Sequence, residues 1–189
     1  VSIVVTPVND APIAQNDSYE LAEDGELAVE AAEGVMKNDF DLESTPVTDL
    51  TVNLIADVSS GELTLNADGS FVYVPDADFF GNDVFMYTIS DGGLTSNSAT
   101  VTFTVGGSND APVAEEDIYY TDEDTVLTSD RSVLDNDGDA DGDALTAEIS
   151  STPTNGTVTM TDDGQFTYTP DANYYGTDTF TYAVTDGVE

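Results

Sequence analysis

The sequence predicts an all-β protein made of two tandem β-sandwich domains. Three observations carry this. Hydropathy alternates with a period of two, Asp-Gly and Asn-Gly pairs separate the alternating runs, and the chain repeats itself once over most of its length.

The alternating runs come first. Leu50–Ile55, Gly61–Leu65, Phe71–Val74, Val84–Ile89 and Thr100–Val105 read as strands. So do Leu145–Ile149, Thr157–Met160, Phe166–Thr169 and Thr179–Val184. Turns are expected at Ala67-Asp68-Gly69, Asp91-Gly92-Gly93, Asn155-Gly156 and Asp162-Asp163-Gly164. About seven short strands per ~100 residues is the pattern of an immunoglobulin-like Greek-key sandwich. No amphipathic helix is expected. Phe71, Tyr73, Phe85 and Tyr87, with Phe166, Tyr168, Phe180 and Tyr182, fall on one face of their strands and read as core. In the adjacent pairs Phe79-Phe80 and Tyr174-Tyr175, alternation must expose one ring of each.

The repeat sets the domains. Asn9-Asp10-Ala11-Pro12 recurs as Asn109-Asp110-Ala111-Pro112, and Asp17, Tyr19 and Glu23-Asp24 recur at the same shift of 100. The shift falls to 98 at Asn38-Asp39 and to 95 from Gly69 onward, so the second copy carries short deletions in two loops. Residues 9–108 form repeat 1 and residues 109–189 repeat 2. Residues 1–8 (VSIVVTPV) resemble Ala99–Val105 (ATVTFTV), which marks them as the last strand of a preceding repeat plus a linker. Repeat 2 stops before its own version of that strand. Val1–Thr6 is therefore expected to be able to add to repeat 2 of a neighbouring molecule.

Charge narrows the function. Asp and Glu number 39 against 2 Lys and Arg, for a formal net charge of -37. Two basic side chains cannot neutralise a phosphate backbone, so nucleic acid is excluded, and insertion into an anionic membrane with it. No apolar run reaches the length of a membrane span. No signal peptide is visible, and the first residues read as mid-chain sequence. Cys and His are absent, which removes disulfides, thiol chemistry, zinc sites and His-based catalysis. The 17 Phe and Tyr residues argue against a disordered acidic tail. Asp makes up 27 of the 39 acids, many beside Gly or Asn in repeated clusters, which favours ligands over a uniformly acidic surface. Acid pairs recur with the repeat and single out no one cleft, so the chain is not expected to be an enzyme.

The strongest cluster is Asn136-Asp137-Gly138-Asp139-Ala140-Asp141-Gly142-Asp143. Carboxylates at Asp137, Asp139, Asp141 and Asp143, spaced by turn-permitting Gly, supply the several hard oxygens that Ca²⁺ needs within one short loop. Without a cation they would repel one another. Repeat 1 keeps Asp39 and Asp41, with Glu43 behind them, but has no acid matching Asp143.

The Asn-Asp-Ala-Pro segment after Gly106-Gly107-Ser108 resembles the Asn-Asp-x-x-Pro linker of cadherin repeats. The likeness extends to the acidic pairs Glu23-Asp24 and Glu123-Asp124, to Asp137-x-Asp139, and to Asp91-Gly92 and Asp186-Gly187. The whole pattern looks like the cadherin-like tandem repeats of large bacterial surface adhesins and secreted repeat proteins. The eroded loop of repeat 1 departs from it. So does the missing Leu-Asp-Arg-Glu motif, for which Asp83 and Asp178 are stand-ins. The resemblance implies Ca²⁺ held at the junction by Glu23, Asp24, Asp83 and Asp91, by Asn109 and Asp110, and by Asp137, Asp139 and Asp186. Asn9 and Asp10, with Asp39 and Asp41, would serve a preceding junction. It implies an extracellular or cell-surface location, neighbouring repeats as partners, and a calcium-stiffened spacer. The other reading is a Ca²⁺-dependent adhesive module for a polysaccharide or cell-surface ligand; the lack of Trp weakens a stacking platform.

Overall fold

The computed structural model describes residues 1–6, 8–42 and 50–188. The chain divides into two compact units, Val1–Ser108 and Asn109–Glu189.

Unit 1 contains β1 (Asp17–Ala22), β2 (Leu27–Val29), β3 (Thr51–Ala56), β4 (Gly61–Leu65), β5 (Phe71–Pro75), β6 (Gly81–Ser90) and β7 (Ala99–Gly106). They form a four-stranded sheet ordered β1-β7-β6-β3 and a three-stranded sheet ordered β2-β5-β4. All pairs are antiparallel except β1 with β7, which run parallel from Asp17↔Val101 to Ala22↔Gly106. The period-two pattern does the folding work. Phe71 and Tyr73 from one sheet, and Phe85, Tyr87, Val101 and Phe103 from the other, are all buried. Tyr73 stacks on Phe103 at 4.0 Å between ring centroids, and Tyr19, Phe71 and Phe85 surround the same ring.

Unit 2 contains β8 (Leu127–Thr128), a single 3-10 turn at Val133–Asp135, β9 (Thr146–Ser151), β10 (Gly156–Met160), β11 (Phe166–Pro170) and β12 (Thr181–Thr185). Its sheets are β10-β11-β8 and β12-β9. Phe166 packs edge-on against Tyr119 and Phe180, reproducing the aromatic core of unit 1 on a smaller scale.

The tandem all-β sandwich is as predicted, and no helix among the described residues is long and apolar enough to cross a membrane. Three elements differ from expectation. β1, β2 and β8 were not separable from loops by pattern. Residues 117–122, which match β1, carry no strand, because no described residue of unit 2 supplies a counterpart of β7 for them to pair with. Residues 1–6, read as a strand, are exposed and pair with nothing among the described residues.

Candidate metal centre

The strand directions place the candidate residues. Because β1 and β7 are parallel, one end of unit 1 receives the chain before β1 and the opposite end releases it after β7.

At the N-terminal end of unit 1, an antiparallel bridge between Ile13 and Phe40 draws residues 9–15 along the 38–41 loop. Asn9 Nδ2 donates to Asp91 Oδ2 at 2.8 Å. Asp91 Oδ1 also accepts from the Gly93 and Leu94 amides, each at 2.6 Å. The Leu94 and Gly93 amides, then Asn9, hold its carboxyl below the usual range. Asp39 Oδ1 accepts from Gln15 N at 2.7 Å, and both its oxygens lie 3.1–3.2 Å from the Tyr87 hydroxyl. Asp41 is buried beside it, and Asp10 is exposed. Glu43 lies outside the described residues.

Unit 2 repeats this arrangement with more carboxylates. Val113 bridges to Gly138, so the Asn-Asp-Ala-Pro segment runs along the acidic loop. Asn109 Nδ2 donates to Asp186 Oδ2 at 2.6 Å, and Asp110 N donates to Asp141 Oδ2 at 2.8 Å. The Asn109 amide, followed by Val188 N, lowers the Asp186 carboxyl. Asp137 accepts from Glu115 N and faces Tyr182, as Asp39 faces Tyr87. Gly142, at φ +76°, turns the loop so that Asp143 N reaches Asp139 Oδ1 at 3.0 Å. Asp139 Oδ2 is buried with no hydrogen-bond partner. Asp143 itself is exposed.

At the C-terminal end of unit 1, Glu23 N donates to Gly106 O at 2.9 Å and Glu23 Oε1 accepts from Ser108 N. The side chain is buried, and Oε2 has no hydrogen-bond partner. Asp24 sits in left-handed backbone, φ +55°, and its Oδ1 accepts from the amide of Asp78, also left-handed. Unit 2 uses the same lock between Asp124 and Asn173 at 2.8 Å. Sequence reasoning passed over Asp78; its alignment with Asn173 at the shift of 95 was the available signal.

Asp83 stands apart from these clusters. It is 1 % exposed, and its oxygens accept from Ser59 N, Ser59 Oγ, Ser60 N and Tyr73 Oη. Burial alone would raise its carboxyl, yet the amides of Ser59, Ser60 and Val84 and the Ser59 hydroxyl outweigh it and hold it low. Asp178 makes the same contacts to Thr154 N, Asn155 N and Tyr168 Oη. These carboxylates tie β6 and its counterpart to a neighbouring loop.

A second feature escaped the sequence. The Tyr87 hydroxyl lies within 3.2 Å of Asp17 Oδ2, Asp39, Gln15 O and Val35 O. Tyr182 has the same neighbours in Asp117, Asp137, Glu115 O and Val133 O. Burial pushes the Asp17 carboxyl up to about 6, with the Asp39 charge adding to the effect. Burial likewise raises Asp39 and Asp117.

The donor set is all oxygen, chiefly carboxylate, and two of its buried oxygens, on Asp139 and Glu23, lack hydrogen-bond donors. Such a set fits a hard divalent cation and has no soft ligand to offer.

Two sandwiches in series, each carrying an acidic loop and an Asn-Asp-Ala-Pro segment at its N-terminal end, define a tandem-repeat module of the immunoglobulin-like class. The family model described as "Bacterial cadherin-like domain" matches residues 9–107 and again 109–189, and the chain belongs to this family. A search of curated proteins returns no match. Among solved structures, the human desmocollin-1 ectodomain aligns at a TM-score of 0.53 and 16 % identity over 96 % of this chain and 35 % of that one. The protocadherin GammaB4 extracellular domain aligns at 0.53 and 16 % identity, over 95 % and 33 %. An endo-fucoidan hydrolase of glycoside hydrolase family 107 aligns at 0.41 and 21 % identity, over 98 % and 28 %. The chain thus spans about a third or less of each of these structures.

Proposed function

We propose that the chain is a Ca²⁺-binding extracellular repeat pair that works as a calcium-stiffened spacer of a bacterial adhesin, without enzymatic activity. The observation that carries this is the buried, donor-less Oδ2 of Asp139 inside a loop shared with Asp137 and Asp141 and lined by Asn109 and Asp110. A buried carboxylate oxygen without a donor is costly, and a divalent cation removes the cost. Asp137, Asp139, Asp141, Asp110 and Asp186 would hold ions in unit 2. Glu23 and Asp24, joined by Asp78, would hold them at the C-terminal end of unit 1, and Asp39, Asp41 and Asp91 at its N-terminal end. Bound Ca²⁺ neutralises clustered charge and orders the Gly106-Gly107-Ser108 linker, which on composition alone is flexible.

Isothermal titration of the metal-free chain with CaCl₂, paired with small-angle scattering before and after chelation, tests the reading. Saturable binding and a larger spread of dimensions after chelation are expected. Absence of saturable binding, or dimensions indifferent to chelation, overturns it.

The adhesive alternative draws on Phe80 and Tyr175, the exposed members of the two aromatic pairs, at 51 % and 85 %. A Ca²⁺-dependent hit on a glycan array that is lost in Tyr175→Ala would favour it over a plain spacer.

A further inference from the structure

The β10 edge of unit 2 is unguarded. β10 has β11 on one side and, among the described residues, no strand on the other. Thr161 N donates to Gln165 O and Asp171 N donates to Asn155 O, so the odd-numbered residues between them bond across to β11. The amides and carbonyls of Gly156, Val158 and Met160 therefore point off the edge of the sheet. Edges elsewhere carry guards. β4, the counterpart in unit 1, presents Glu62 where β10 presents Thr157, β9 carries Glu148, and β3 is broken by a bulge between Leu54 and Ala56. β10, with the sequence GTVTM, has no charge, no Pro and an unbroken register.

The neutrality extends beyond the strand. Residues 149–161 contain no charged side chain, in a chain that is 22 % charged and has a net charge of -37. On the outer face, Thr157 pairs with Thr169 and Thr159 with Thr167, and Thr128 lies opposite Thr167 on the far side. Val158, Met160 and Tyr168 pack inward on the core. Charge selects what can cover this edge. A cationic partner finds nothing here to pair with, and two copies of so acidic a chain can approach closely only where neither presents an acid. The β10 edge meets that condition against itself.

We propose that β10 pairs antiparallel with β10 of a second copy of this chain, about a two-fold axis at Val158, joining two three-stranded sheets into one of six strands. In this register Val158 exchanges both backbone hydrogen bonds with the partner's Val158, and Gly156 does so with the partner's Met160. Thr157 stands opposite the partner's Thr159 in the close, non-hydrogen-bonded position, where paired threonines touch favourably. The same surface serves both copies, so the contact closes at the dimer. A contact one strand wide is smaller than the interface of a stable dimer, so association belongs to high protein concentration. Salt screens the repulsion between the acidic remainders and tightens it.

The test is sedimentation velocity of the 189-residue protein over a hundredfold concentration range in about 0.3 M NaCl. Mass should rise from monomer to dimer and no further. Thr157→Glu combined with Thr159→Glu sets two pairs of carboxylates face to face and should weaken the dimer by about tenfold or more. The circular dichroism spectrum and a cooperative melt should survive, because both side chains are exposed. Mixing that variant with one carrying Thr157→Lys and Thr159→Lys should restore association as a heterodimer. The chain has no native Cys, so disulfides read the register. Thr157→Cys mixed with Thr159→Cys should cross-link on oxidation, and neither should do so alone. Four results overturn the proposal: a monomer at every concentration, association indifferent to the glutamates, growth past the dimer, or a chain that stays monomeric while its β10 amides shift in NMR spectra on adding the free peptide TNGTVTMT. The last would show an edge that accepts a strand other than a second copy's.

Discussion

Carboxylates with different hydrogen-bond partners do opposite things to stability. Asp83 is saturated by donors, so its loss strands the Ser59 and Ser60 amides. Asp83→Ala should destabilise unit 1 by about 3 kcal/mol, equally with and without Ca²⁺, as read by chemical denaturation. Asp139→Asn should leave metal-free stability intact or improve it and weaken Ca²⁺ binding on the order of tenfold in a calorimetric titration, because a ligand charge is lost from the cage. Asp17 has the reverse linkage from Asp83. Its folded carboxyl, raised to about 6, binds a proton more tightly than the unfolded one does. The stabilisation is therefore complete below the unfolded value and disappears as pH rises through 6. The metal-free protein should melt at higher temperature at pH 5 than at pH 7, and Asp17→Asn should raise the pH 7 melt and flatten that difference. Asp83, Asp91 and Asp186 are held low, so below the ordinary carboxylate range they are protonated at a cost and the trend turns over.

At the scale of the element, both units need a glycine where a strand crosses a tyrosine ring. A Cβ on Gly61 would stand 2.4 Å from Val74 O and 2.9 Å from the Tyr73 ring; on Gly156 it would stand 2.6 Å from Thr169 O and from the Tyr168 ring. Gly61→Ala and Gly156→Ala should each cost about 1–3 kcal/mol in thermal or denaturant melts, since backbone on the far side cannot yield. Strand identity was readable wherever apolar residues alternate, as in FVYV and VFMYTI, because burial on one face writes the period directly. β1, DSYELA, mixes two acids into its run, and β2 is three residues long, so neither rises above loop composition. The Asp-rich loop was readable because its ligands are sequential. The hub around Tyr87 was not. Its tyrosine satisfies the core pattern, and its partners Asp17, Asp39 and Val35 meet only in three dimensions. Asp83 held a clue that went unused: it lies two and four residues before Phe85 and Tyr87, and so shares their inward face.

For the molecule as a whole, the two units bury unequal cores. Among the described residues, fourteen buried apolar side chains cluster in unit 1 and three in unit 2. Differential scanning calorimetry should resolve two transitions, the lower one belonging to unit 2. With a net charge of -37, millimolar CaCl₂ should raise both transitions well beyond what NaCl of equal ionic strength achieves, because only an ion that binds the folded state shifts the equilibrium by mass action.

The parallel pairing of β1 with β7 bears on how a repeat answers tension. A pull applied at the two ends of unit 1 slides these neighbouring strands along their length in opposite directions, so the six-residue ladder resists as a block instead of unzipping bond by bond. In single-molecule stretching, unit 1 should yield at high force in one abrupt event.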